Sequence, residues 1–137
     1  MHEYASRHPH WLLDLASDGP TYSISHSITR LPEIKDVPYL GCVASETEAR
    51  TSLILTCVNR QLTGSATAEI DLSKLPRTTG AVSVTTIPGD NLLVENDESA
   101  LRHIAPINST EHLQNSAIIR HTFPEESVTV LEVALSR

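Results

Sequence analysis

Apolar residues along this chain recur mostly at every second position, in short runs separated by turn residues. The C-terminal run carries the clearest pattern. Phe123-Pro124-Glu125-Glu126 reads as a turn, and Ser127 opens a strand that continues to Leu135. Val128 and Val130 point to one face of this strand, while Thr129, Leu131, Val133 and Leu135 point to the other. A strand apolar on both faces belongs inside a layered β structure. The stretch Ser52 to Asn59 has the same character, with Leu53, Leu55 and Cys57 set against Ile54 and Val58, and is expected to be central. In Ala66 to Ser73, by contrast, Ala66, Ala68, Ile70 and Leu72 alternate with Thr67, Glu69, Asp71 and Ser73, which predicts a strand with one wet face.

Further strands are expected at His10 to Leu15, around Tyr22 and Ile24, and at Tyr39 to Ser45, Ala81 to Ile87 and Ala117 to Phe123. Leu31 to Pro38, with two prolines, reads as a crossing loop, and Glu46 to Arg50 as a charged turn. Helix is scarce: Met1 to His8 reads as a frayed helical end, and Asn96-Asp97-Glu98-Ser99 could cap a short turn through Ile104. Pro88 to Ser116 has no strong pattern and reads as a long loop. Strands at this rhythm, with Gly and Pro mostly at the joints, predict an all-β, antiparallel two-sheet β-sandwich, jelly-roll-like, with at most a short N-terminal helical turn.

A chain of 137 residues is one domain long enough to bury a core. Its formal charge of −7, from 10 basic and 17 acidic residues, argues against a nucleic-acid partner and against anionic membranes. No apolar run approaches the roughly 18 residues of a membrane span, and the N-terminus has no basic and apolar regions of the secretory kind. The compartment stays open. Cys42 and Cys57 each fall within an expected strand and outside any CxxC spacing, so two buried free thiols are a simpler account than a disulfide, a zinc site or a redox motif.

Glycoside hydrolysis needs two carboxylates flanking the bond, about 5–10 Å apart. The candidates are Glu95, Asp97, Glu98, Glu125 and Glu126, but Glu125-Glu126 reads as a solvated corner and Asp97-Glu98 as a helix start. The histidines His2, His8, His10, His26, His103, His112 and His121 lack the spacing of a metal set, and His121 shares a strand face with Ile119 and Phe123, as a packed histidine would. No Gly-x-Ser-x-Gly occurs. A sugar-binding platform could use Trp11 and Tyr22, whereas Tyr39 and Phe123 read as core or strand-end positions. Asn108-Ser109-Thr110 fits the N-glycosylation pattern, which bears on the chain only if it is secreted.

The order of Val58-Asn59-Arg60 between strands, then Gly89-Asp90-Asn91-Leu92-Leu93-Val94-Glu95-Asn96, a loop with Pro106, and Ser127-Val128-Thr129-Val130-Leu131 resembles a known module. It is similar to the C-terminal β-sandwich of the α-L-arabinofuranosidases of glycoside hydrolase family 51. Ser17 to Tyr22 and Val37-Pro38-Tyr39-Leu40 resemble its opening segments, and Tyr4 to His8 resembles the last turn of the helix before it. The resemblance covers nearly the whole chain through the order of several moderate motifs. It implies a parent that removes terminal α-L-arabinofuranosyl residues with retention, using two glutamates on a (β/α)₈ barrel in Gly-Asn-Glu and Asp-Glu-Trp contexts. Neither tripeptide occurs here, and 137 residues are too few for such a barrel plus this sandwich.

The resemblance therefore implies residues 1–9 as a remnant of the last barrel helix and linker, and residues 10–137 as the sandwich. It implies an accessory, non-catalytic role, with no catalytic, cofactor-binding or metal-binding residue and no cofactor. A free-standing carbohydrate-binding module is the alternative, and a complete small hydrolase a third reading. The expected partner is the parent's (β/α)₈ barrel. In the family a strand from the enzyme's far N-terminus helps complete the sandwich, so an under-covered edge and an apolar patch including Trp11, Leu12 or Leu13 are expected here. The chain is then expected to self-associate and to bind a hydrophobic dye; size-exclusion chromatography returning a strict monomer that binds no dye contradicts this.

Overall fold

The computed structural model of the chain describes residues 11–25, 32–75, 78–89, 96, 98, 104–113 and 117–136. The strands run in the order β1 (Trp11–Leu13), β2 (Thr21–Ile24), β3 (Ile34–Pro38), β4 (Leu40–Glu46), β5 (Ser52–Asn59), β6 (Ala66–Asp71), β7 (Thr78–Ile87), β8 (Ile107–His112), β9 (Ile118–Phe123) and β10 (Val128–Leu135). Six of them form one sheet in the order β1-β4-β5-β10-β7-β8, while β2 pairs with β3 and β6 with β9. Every pairing is antiparallel. The expected all-β, sandwich-like architecture is therefore observed, and the described residues contain no helix.

The core lies between the large sheet and the β6–β9 pair. Register sets its inner face: Leu131 lies opposite Leu55 and Val84, and Val133 opposite Leu53 and Val82. Ile119 and Phe123 of β9 close over this face, and all eight of these side chains are buried. Each contributes about 1.5–3 kcal/mol through removal from water. Thr129, fully buried on the same face, lies opposite Cys57 and Thr86, and its hydroxyl is 3.3 Å from that of Thr86, so neither hydroxyl is left without a partner.

Both strands expected to be apolar on two faces are central, β5 between β4 and β10, and β10 between β5 and β7. The second face of β10 is covered only at its start: Val130 is buried and Val128 half-buried, whereas Glu132 and Ala134 are exposed. β6 keeps the one-sided wetness that its alternation implies. Its end is shaped by Asp71, whose carboxylate accepts from the Ser73 N–H at 2.8 Å. Hydrogen bonds from the Ser73 side chain and backbone hold the Asp71 carboxyl below the usual range.

The corner into β10 is fixed by Asn59, which is 1% exposed. Its side-chain amide donates to the carbonyls of Phe123 and Pro124 at 3.2 and 2.8 Å, and its carbonyl accepts from the Gln61 N–H at 3.1 Å. The Ser127 hydroxyl donates to the Pro124 carbonyl at 2.6 Å. One asparagine therefore satisfies three backbone groups that a sharp turn would otherwise strand.

Four sequence expectations need correction or fall outside the described residues. The segment ending at Pro38 is not only a crossing loop: β3 pairs with β2. Its side chains are almost all exposed, so no apolar alternation marks it, and Asp36 at φ 55° interrupts its regularity. Inside the stretch 88–116, β8 forms the edge of the large sheet; four successive exposed residues give it no apolar signature. The expected turn between Asn96 and Ile104 lies, Glu98 apart, outside the described residues, while Asn96 donates to the Ile104 carbonyl at 3.0 Å and accepts from its N–H at 2.7 Å. The N-terminal helical end and the division at residues 1–9 lie outside the described residues.

The expected apolar edge falls on β1, at one end of the large sheet: Trp11 is 52% and Leu12 80% exposed, while Leu13 packs on the core. The Arg50 guanidinium sits 5.8 Å from the Trp11 ring centroid.

Replacing Asn59 by Ala is expected to lower the unfolding free energy by about 3 kcal/mol, since two carbonyls and one N–H lose their partner. Urea titration measures it; a loss under about 1 kcal/mol means that water substitutes for the amide.

Candidate functional site

The outer face of β10, β7 and β8 is polar where the inner face is apolar, because Ser83 and Thr85 alternate with Val82 and Val84. Register brings Glu132 opposite Ser83, Val130 opposite Thr85, Thr85 opposite Asn108 and Ser83 opposite Thr110. These residues line an open groove of about 400 Å³. The Thr85 hydroxyl donates to the Asn108 side-chain carbonyl at 2.9 Å. The groove therefore offers hydroxyls, an amide and one carboxylate, which suits hydrogen bonding to a hydroxylated ligand. Among the described residues Glu132 is the one acid lining it, and double-displacement or inverting hydrolysis requires two. The sequence reading did not reach this groove, because β8, which forms one wall, carries no apolar alternation.

The acids singled out in the sequence do not gather there. Glu125 lies in the turn before β10, where its carboxylate accepts from the Gly64 N–H, so this corner residue ties two turns together as well as meeting solvent. Glu126, at φ 49°, donates its N–H to the Gln61 carbonyl at 3.0 Å. Its backbone oxygen packs so closely on Gly89 that a Cβ there would collide with it. Glu98 is exposed, and Glu95 and Asp97 lie outside the described residues, as do His2, His8, His10, His26 and His103. Among the described residues no group of three or more His, Cys, Asp or Glu could hold a metal ion.

His121 is a packed histidine, 7% exposed on β9. Its ring meets Phe123 edge-on with centroids 4.6 Å apart, and its Nδ1 lies 2.9 Å from Glu111 Oε1 on β8. Nε2 is buried without a partner among the described residues, so the Nδ1–Glu111 contact carries the polar anchoring of the ring. This contact joins the edge of the large sheet to the smaller β6–β9 sheet. His112 is exposed.

The aromatic pair proposed from the sequence separates. Tyr22 packs against Tyr39 with the rings tilted and centroids 4.8 Å apart, tying β2 to the residue before β4, whereas Trp11 meets Arg50. No ring contact joins Trp11 to Tyr22 among the described residues. Phe123 is fully buried, as expected, and Tyr39 half-buried. Asn108 is exposed on an edge strand, so its acceptor pattern is sterically open. Cys42 and Cys57 are free; Cys57 is buried as expected, but Cys42 is only partly so.

No protein-family model matches the chain, and no curated protein matches its sequence. Solved structures do match its fold. The α-L-arabinofuranosidase from Thermotoga maritima, in an arabinose complex, superposes with a TM-score of 0.77 at 23% identity over 90% of this chain and 26% of that one. The thermostable family 51 α-L-arabinofuranosidase from Thermotoga petrophila gives a TM-score of 0.76 at 22% identity over 88% and 25%. A xyloglucanase of glycoside hydrolase family 44 from Paenibacillus polymyxa gives 0.55 at 16% identity over 73% and 17%. The chain thus spans about a quarter of the length of the arabinofuranosidases it resembles, and at these identities the likeness is one of fold. The resemblance read from the sequence falls on the same enzymes.

The Glu111–His121 contact has a measurable consequence. Glu111→Ala leaves both ring nitrogens of a buried histidine unpaired and is expected to destabilise the chain by about 1–3 kcal/mol, whereas replacing the pair together by Leu and Met is expected to cost less. Equilibrium unfolding of the single and double variants distinguishes them; equal losses indicate that the polar contact contributes nothing beyond packing.

Proposed function

We propose that this chain serves as the accessory, non-catalytic C-terminal β-sandwich of an α-L-arabinofuranosidase, packed against the (β/α)₈ barrel that carries the chemistry. The observation that carries this reading is the match of about 90% of this chain to about a quarter of an arabinofuranosidase. The motif order from Val58 to Leu131 supports it independently. In this role the sandwich braces the barrel and its neighbouring loops, and the parent's activity is hydrolysis of terminal α-L-arabinofuranosyl residues during L-arabinose metabolism. The exposed Trp11 and Leu12 on β1 are the residues most suited to an apolar contact with such a barrel. Among the described residues lining the groove, Glu132 has no second acid with which to act on a glycosidic bond.

A free-standing sugar-binding module is favoured by one feature, the hydroxyl- and amide-lined groove bordered by Ser83, Thr85, Asn108 and Thr110. It lacks an aromatic platform, which weakens stacking on a sugar ring.

Two measurements separate the readings. The isolated chain is expected to give no turnover of nitrophenyl α-L-arabinofuranoside, and turnover lost on replacing Glu132 would overturn the accessory role. Affinity electrophoresis in arabinan or arabinoxylan is expected to show no retardation. Retardation abolished by Thr85→Ala with Asn108→Ala would favour the binding module.

A further inference from the structure

Cys42 on β4 and Cys57 on β5 are direct cross-strand partners. Flanking hydrogen bonds fix the kind of pair they form. The Arg60 N–H donates to the Tyr39 carbonyl at 2.8 Å, and the Thr47 N–H to the Ser52 carbonyl at 3.0 Å. These mark Tyr39/Arg60 and Thr47/Ser52 as hydrogen-bonded pairs at the two ends of an unbroken register. Bonded and non-bonded pairs alternate along antiparallel strands, so Cys42/Cys57 is a non-bonded pair, whose Cα atoms approach to about 4.5 Å. That lies at the short end of the range, about 4.4–6.8 Å, that a disulfide spans. Both side chains lie on the same face of the sheet, as those of directly opposed residues do.

The two sulfurs are not equivalent. Cys57 is fully buried beneath the core, whereas Cys42 is partly exposed. The hydrogen bond from Cys57, and further the charge of Arg60, hold the Cys42 thiol below its ordinary value against the opposing effect of burial. Cys57 is pushed up, first by donating to Cys42 and then by burial. One thiol is thus the accessible nucleophile, and its neighbour is positioned to resolve the product.

We propose that Cys42 and Cys57 form a thiol–disulfide exchange site that takes a low-molecular-weight disulfide as oxidant and closes into a cross-strand disulfide. The Cys42 thiolate attacks one sulfur of the small disulfide, forming a mixed disulfide and expelling one small thiolate. Cys57 then attacks the Cys42 sulfur, forming the Cys42–Cys57 bond and expelling the second small thiolate, which takes up the Cys57 proton as it leaves. Two protein thiols are oxidised, the one small disulfide is reduced to two thiols, and the protons released by the protein are taken up by the leaving thiolates. This site is independent of the arabinofuranosidase reading, since neither its geometry nor its chemistry draws on the groove or on a barrel.

The test uses the full native chain and oxidised glutathione. Intact mass is expected to show a product lighter by two hydrogens, with the Cys42 and Cys57 peptides joined in a non-reducing digest and freed by a dithiol. Cys57→Ser is expected to stop at one glutathione on Cys42, and Cys42→Ser to take none. An unaltered chain whose mass does not change overturns the proposal, as does a native Cys42→Ser chain that takes the adduct on Cys57. If either variant fails to fold, alkylation of the native unaltered chain decides the order. Iodoacetamide is expected to mark Cys42 at least tenfold faster than Cys57, and equal rates overturn the assignment of nucleophile and resolver.

Discussion

One continuous apolar face, shared by β4, β5, β10 and β7 and closed by β9, is the constraint on which the rest of the molecule depends. Leu53, Leu55, Leu131, Val133, Val82 and Val84 lie in register across it, and Ile119 and Phe123 complete it from the other layer. A shift of β10 by one residue would turn Leu131 and Val133 outward and bring Glu132 into the core, so the pairing admits only one register. Because that register is fixed, so is what lies on the opposite face. The alternation that buries Val82 and Val84 also lines Ser83 and Thr85 along a groove, and within the same sheet the β4–β5 pairing sets Cys57 opposite Cys42.

Polar groups close the structure where apolar burial ends. Asn59 satisfies the turn carbonyls of Phe123 and Pro124, Ser127 donates to the same turn, and the Glu125 carboxylate reaches the backbone of Gly64. The Asn59 and Glu125 contacts join segments more than sixty residues apart in sequence. A charged turn that reads locally as a solvated corner thereby acts as a tie between the entry to β10 and the loop before β6. The Glu111–His121 contact does the same between layers, at the edge where the apolar core thins. Carboxylates in these places are accounted for by the backbone and side chains they hold, which bears on how acids in a small β domain should be read before a catalytic role is assigned.

The likeness to arabinofuranosidases is one of fold, over about a quarter of those chains. Trp11 and Leu12 are exposed apolar residues on a three-residue strand at one end of the large sheet. Arg50 covers part of the indole from within the chain, leaving Leu12 as the more exposed of the two. An edge strand this short limits pairing with another chain, while its apolar side chains still favour a packed neighbour.

What the sequence determined by itself is the set of strands that must bury a face, since alternation at period two is local: β5, β6, β9 and β10 were legible from residue spacing alone, and so was the packed character of His121. Strands that bury little escape that signal. β3 and β8 were read as loop because their side chains are exposed, and with β8 unseen the groove it borders was unseen too. Only the tertiary structure decided which residues meet across strands. Cys42 and Cys57, fifteen positions apart, become neighbours through register; Glu111 reaches His121 across layers; Tyr22 finds Tyr39 and not Trp11. Burial leaves a periodic trace in a sequence because each residue meets its environment singly, whereas a site is a relation between residues, and that relation exists only once the chain has closed on itself.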